Sequence, residues 1–186
     1  ADRQMMNRRR NLRIRNPLTP RGTGVVAVAF ALCGYAASPP GSARHALFVW
    51  NATASAPIGF YRVTLSPALS RGDLVLAIPS PSAAAFAARR GYLPAGVPLV
   101  KHIAAMAGDT VCARGKDIFI DGRVAAVRLS VDGQSRPLPA WSGCRALDHG
   151  EVFLLMEGVR TSFDGRYFGP TNISQIVGRL DSIWTR

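Results

Sequence analysis

Beyond residue 45 the chain is a series of short apolar or alternating runs separated by turn-forming residues, the pattern of strands rather than helices. Ala46-Leu-Phe-Val-Trp50 is apolar and rich in β-formers. Residues 60–65 alternate, which sets Tyr61, Val63 and Leu65 on one side. Arg71-Gly-Asp73 turns into residues 74–78, a continuous apolar run of buried-strand type. Ser82, as N-cap to the alanine-rich residues 83–90 with Arg89 and Arg90 in the last turn and Gly91 as the stop, predicts one short helix. Strands are expected in residues 97–106, 110–112, 118–120, 123–127, 151–156 and 176–184. Asp121-Gly122, between two of these, is a strong hairpin signal. Residues 130–147, rich in Pro, Gly and Ser, read as a long loop. With no β-α-β alternation and no internal repeat, the fold class is mainly β, an antiparallel domain with one short helix.

The hydropathy pattern before residue 45 is different. Seven arginines lie between residues 3 and 21, and Pro17 and Pro20 interrupt any helix there. From Gly22 to Ala43 no charge occurs, and residues 25–37 are strongly apolar. A spanning helix needs roughly 20 residues, so the span is long enough only with its ends included. The arginine-rich flank orients such a segment with its N-terminus in the cytoplasm. Three readings stand side by side: an uncleaved single transmembrane helix, a cleaved signal peptide, and a buried helix of a soluble protein. The first two place the rest of the chain outside the cytoplasm. The expected organisation is a basic cytoplasmic segment (residues 1–21), an anchor or signal segment with a linker (22–44) and an outer domain (45–186).

Charge refines this division. The net charge is +12, which invites a nucleic-acid reading. Residues 1–44 hold eight Arg and one Asp, a net of +7, and the remaining fifteen Lys/Arg and ten Asp/Glu leave +5 for the outer domain. That is a mildly basic surface, not a phosphate-binding stripe, so no nucleic-acid partner is expected. Hydrophobic residues make up 48% of the chain, enough for a packed core. Cys33 falls in the apolar segment, which leaves Cys112 and Cys144 as a candidate disulfide in an oxidising compartment, or as two buried thiols.

Two residues stand out chemically. Ser55, in Asn51-Ala-Thr-Ala-Ser-Ala-Pro-Ile-Gly59, sits among small residues just before Pro57 and Gly59. Such a segment is either an ordinary turn or a serine hydroxyl left unobstructed. In an extended segment Thr53 and Ser55 share one face. Lys101, in Leu99-Val-Lys-His-Ile103, is a charge within an apolar strand. Either its ammonium points to water, or it is desolvated, and burial then lowers its pKa toward a neutral amine able to act as a base. A serine nucleophile needs such a base. His102 is the competing base, and on a strand it faces away from Lys101. No residues have metal-ligand or phosphate-loop spacing, and no cofactor is expected.

Four segments, in order, resemble those of the type I signal peptidases (peptidase family S26), most closely the conjugative-transfer branch. Ser55-Ala-Pro57-Ile-Gly59 resembles the nucleophile box and Arg71-Gly-Asp-Leu-Val75 the strand box after it. Lys101-His-Ile-Ala-Ala-Met-Ala-Gly-Asp109 is similar to the lysine box, and Ser162-Phe-Asp-Gly-Arg-Tyr-Phe-Gly169 to the Ser-x-Asp-Ser-Arg-Tyr-x-Gly box. His102, Ala107 and Gly165 depart from the usual arginine, proline and serine.

The resemblance implies a signal-peptidase-like β domain, a Ser55/Lys101 catalytic dyad and a supporting set. In that set Thr53 would help the Ser55 amide hold an oxyanion, Ser162 would orient the lysine, and Asp164 would support the site. Asp164 and Arg166 also read as a plain structural ion pair. It further implies a bacterial inner-membrane protein with a periplasmic catalytic domain, or a periplasmic one if the N-terminal segment is removed. The implied substrate is an exported precursor, a pilin of a conjugation apparatus. The acyl-enzyme would pass to water or, with cyclisation, to a peptide amine. A general signal peptidase, a non-catalytic pilus-assembly protein and a DNA-binding self-cleaving repressor are the rival readings.

Overall fold

The computed structural model describes residues 48–65 and 68–186. The apolar segment proposed as an anchor lies outside them, and no helix of the described residues is long and apolar enough to cross a membrane.

The chain runs β1 (Phe48–Asn51), β2 (Gly59–Thr64), β3 (Leu74–Ala77), α1 (Pro81–Arg90), β4 (Leu99–Ala105), β5 (Thr110–Arg114), β6 (Asp117–Ile120) and β7 (Arg123–Val127). It continues through β8 (Gly143–Ala146), β9 (Glu151–Leu155), α2 (Gly165–Phe168), β10 (Thr171–Asn172), a 3₁₀ turn (Ile173–Gln175) and β11 (Ile176–Thr185). Seven strands form one sheet in the order β1-β2-β11-β3-β4-β9-β10, and four form another in the order β7-β6-β5-β8. Neighbours in both sheets are antiparallel. The domain is mainly β, as the sequence pattern predicts. The smaller sheet is an excursion between β4 and β9. Ala105 and Phe153 on those strands share an apolar core with Val111, Ile118 and Ile120 of the excursion. A second core, under the Ser55 loop, joins Ala56, Tyr61, Val63, Leu76, Val100, Met156 and Leu180.

Local chemistry accounts for most boundaries. Asp121 (φ 49°) and Gly122 (φ 77°) form the two-residue turn between β6 and β7, and their positive φ values suit the twist of the paired strands. Helix α1 begins earlier than predicted. Its N-cap is Ser80, whose hydroxyl accepts from Ala83 N–H at 3.4 Å, because Pro81 takes the first helical position. A proline there has the required φ and no N–H to leave orphaned. The predicted loop of residues 130–147 needs a larger correction, because Gly143–Ala146 is a strand pairing with β5. All four of its residues are exposed, so no apolar alternation marks it. A second short helix, α2, was also unpredicted.

Candidate active site

Residues 52–58, between β1 and β2, form the loop that carries Ser55 and Thr53. The loop is bent through residues 53–56, so Thr53 and Ser55 do not share a strand face as an extended segment would require. Their hydroxyls nevertheless meet, Thr53 Oγ1 and Ser55 Oγ lying 3.1 Å apart. Asn51 at the end of β1 ties the turn together. Its Nδ2 donates to the carbonyls of Thr53, Ala56 and Pro57, each at 3.0 Å. Pro57 O also accepts from the Tyr61 hydroxyl at 2.6 Å. At the far end of the loop Gly59 pairs with Asn51 and Thr185. A Cβ at Gly59 would lie 2.0 Å from Trp184 O, so only glycine lets the hairpin close against β11.

Lys101 lies in the middle of β4, paired with Val75 of β3. It is 3% exposed. Of the two local readings, water-facing or desolvated, the structure has the second. Among the described residues Nζ makes one hydrogen bond, to Ser55 Oγ at 3.3 Å. An ammonium has three N–H donors to satisfy, so this setting disfavours its charged form. Burial pushes the amine from 10.5 down to about 8, with the Asp164 charge pulling it up and Arg166 pushing it down. His102, the next residue, is half-buried and sets Nδ1 2.8 Å from Gly72 O on another side of the strand. The alternation of β4 therefore separates the two candidate bases.

Asp164 and Arg166 are almost fully buried, at 0% and 2% exposure. The carboxylate accepts from Arg166 Nε at 2.8 Å and from Met156 N–H at 3.0 Å. The guanidinium also donates to the carbonyls of Met156 and Val159, at 3.1 and 2.7 Å. The pair thus pins the end of β9 and the segment after it. The two charges push the Lys101 amine in opposite directions, Asp164 up and Arg166 down. Ser162 is 2% exposed and its Oγ has no hydrogen-bond partner among the described residues, so it makes no hydrogen bond to Lys101. The departure at Gly165 has a steric reason: a Cβ there would come within 2.7 Å of Leu154 O and 2.8 Å of the Phe153 ring.

Beside Ser55 a cleft of about 280 Å³ is lined by Ala54, Ala56, Pro57, Ile58, Met156, Val159 and Arg186. Its walls are mostly apolar. Cys112 and Cys144 face each other across β5 and β8 as a disulfide, with Cα atoms 4.0 Å apart. They belong to the smaller sheet and not to the Ser55 site. Ser55, Lys101 and Thr53 are brought into contact, and Asp164 and Arg166 act on Lys101 through charge. Sequence reasoning passed over Asn51. Its signal was an Asx residue two positions before Thr53, the spacing at which an Asn side chain accepts from backbone to open a turn.

Residues 23–185 match the family model described as signal peptidase, peptidase S26. The chain is 35% identical over 164 residues to a plasmid transfer protein TraF of Escherichia coli, covering 82% of this chain and 86% of that protein. It is 36% identical over 146 residues to a conjugal transfer protein TraF of Agrobacterium tumefaciens (strain 15955), covering 73% and 81%. Among solved structures, a signal peptidase I from Enterococcus faecalis V583 is similar over 63% of this chain and all of that one, at 20% identity and a TM-score of 0.38. A family model matching residues 23–185, with relatives this similar over most of their length, shows that the chain belongs to the signal peptidase, or peptidase S26, family.

Proposed function

We propose that the chain is a membrane-anchored serine endopeptidase using a Ser55/Lys101 dyad. The observation that carries this reading is the buried Lys101 amine 3.3 Å from Ser55 Oγ. A neutral amine there accepts the Ser55 proton as Oγ attacks the scissile carbonyl. The Ser55 N–H and the Thr53 hydroxyl hold the oxyanion. As the C–N bond breaks, Lys101 returns the proton to the leaving amine, and an acyl-enzyme on Ser55 remains. Water attacks that ester to complete hydrolysis. A peptide amine attacking instead gives a cyclic product.

The apolar cleft beside Ser55 fits small apolar side chains at the cut. The substrate in this reading is an exported precursor, a pilin of a conjugation apparatus. Its support is that the relatives are named for plasmid or conjugal transfer. The N-terminal arginines and apolar segment support an inner-membrane anchor with the catalytic domain in the periplasm. The test is to produce the full chain in membranes with the host's pilin precursor and follow maturation by mass spectrometry. Ser55→Ala and Lys101→Ala are each expected to abolish it. Normal maturation by either variant refutes the dyad.

A further inference from the structure

Asn51 is 5% exposed and spends every polar atom of its side chain on the loop that follows it. Its Nδ2 faces three carbonyl oxygens, those of Thr53, Ala56 and Pro57. Those oxygens only accept, so the amide orientation is determined: a flipped amide would set its own oxygen against all three. Oδ1 consequently faces Thr53, accepting from its N–H at 3.1 Å and its hydroxyl at 2.9 Å. A hydroxyl has one proton. With the Thr53 proton committed to Asn51 Oδ1, Thr53 accepts in its 3.1 Å contact with Ser55, and Ser55 donates.

We propose that Asn51 is a positioning residue of the Ser55/Lys101 site, fixing the nucleophile loop by its Nδ2 and the Thr53 hydroxyl by its Oδ1. The proposal rests on the reading of the site given above. At rest, Asn51 holds the Thr53 proton. When negative charge develops on the substrate carbonyl, that oxygen becomes the stronger acceptor, since a hydrogen bond to an ionised group is roughly twice as strong as a neutral one. The Thr53 hydroxyl then turns from Oδ1 to the oxyanion, and the Ser55 proton, directed at Thr53 at rest, turns to the neutral Lys101 amine that removes it. Asn51 retains its three carbonyls, so Ser55 stays in register with Lys101 while the proton moves. The donor is thus engaged by the substrate only in the transition state, the condition for lowering a barrier rather than tightening ground-state binding.

The test uses the full chain in detergent and an internally quenched peptide spanning the cut found in the pilin precursor. Asn51→Ala is expected to lower kcat on the order of a hundredfold, the cost of about 1 Å of misplacement. The ascending, acid-side limb of its pH profile should stay at the wild-type position, because none of the Asn51 hydrogen bonds goes to Lys101, Asp164 or Arg166. A residue that merely holds the fold would admit water to Lys101 when lost and drag that limb upward. Combined with Thr53→Val, the Asn51 loss should cost much less than the product of the two single effects, since part of it acts through Thr53. Where Asn51→Ala does not fold, Asn51→Ser keeps an acceptor for the Thr53 amide, cannot span to Ala56 and Pro57, and is read the same way. Wild-type kcat in the variant, a limb moved upward, or fully multiplicative losses each overturn the proposal. If Ser55→Ala and Lys101→Ala retain activity, the dyad itself is wrong. If those are inactive and the Asn51 variant matches wild type, only the positioning role fails.

Discussion

A lysine buried for its chemistry is a cost to the fold, and replacing Lys101 with methionine should expose that cost. The folded amine titrates at about 8 against an ordinary value of 10.5. Each tenfold change in a protonation equilibrium is about 1.4 kcal/mol, so the difference corresponds to about 3 kcal/mol against the charged form. The sign follows from proton counting. Below about pH 8 both folded and unfolded lysine are protonated, and the full penalty is present. Between about 8 and 10.5 the unfolded state binds more protons, so wild-type stability rises with pH and the penalty disappears. Methionine fills the same space with a flexible apolar side chain and has no charge to desolvate.

Lys101→Met is therefore expected to be inactive, yet more stable than wild type by on the order of 3 kcal/mol at pH 7. That gain should close as the pH passes from 8 to 10.5. Urea unfolding followed by tryptophan fluorescence at pH 7, 9 and 10.5 measures it, and titrations common to both proteins cancel in the difference. A gain that is absent at pH 7, or that stays constant across this range, would show that the amine is not desolvated in the folded protein. The dyad argument would then lose its physical basis.

The same amine sets the pH dependence of cleavage. At pH 7 about a tenth of Lys101 is neutral, so kcat/KM should rise nearly tenfold per pH unit below 8 and level off above it; a limb near 10 in a pH-rate profile would contradict the burial. Asp164→Asn removes the charge that raises the Lys101 pKa and leaves Arg166, which lowers it, so the limb should move to lower pH. It also breaks a buried ion pair, at about 3–5 kcal/mol of stability by urea unfolding; an upward move of the limb refutes the charge coupling. Replacing Cys112 and Cys144 by serine opens a loop with a sequence separation of 32, with an expected loss of about 3–4 kcal/mol from the freed unfolded chain. Since the bond is in the smaller sheet, the pH-rate limb should be unmoved, and a displaced limb would show that the two sheets are coupled at the site.

What could be read from the sequence was local. Tyr61 and Val63 reveal a strand because burial on one face imposes a period of two, whereas Leu65, set on the same side by the alternation, lies past the end of β2 and is exposed. β8 failed that test because all four of its residues are exposed, and it exists only through pairing with β5. The helix start was misplaced because Ser80 and Ser82 are equally good caps, and the choice turns on Pro81 between them. Lys101 was visible as an anomaly, but its contact is with a serine 46 positions earlier, which no local pattern around the lysine can show. Asn51 was legible only as an Asx residue ahead of a turn, because three of its five hydrogen bonds go to backbone carbonyls, which no side-chain pattern marks.

The strand order explains why the dyad itself could not be derived from spacing. Ser55 is on the loop leading into β2 and Lys101 is on β4, with β11 and β3 between them in the sheet. At about 4.8 Å between neighbouring strands, a flat sheet would hold β2 and β4 about 14 Å apart. Contact at 3.3 Å needs a sheet that curls and a loop that folds back over it. The last strand, β11, carries two irregularities of the kind that bend a sheet. Its register shifts between Ile176 and Gly178 against β3, and again between Ser182 and Trp184 against β2. Such irregularities bend a strand and increase its twist. At Gly178 a Cβ would lie 2.8 Å from Thr64 O, so the close approach of β11 to β2 depends on a missing side chain. The hydroxyl and the amine are 46 positions apart in the chain. Between the strands that carry them in the sheet stands one that begins 75 positions after the amine.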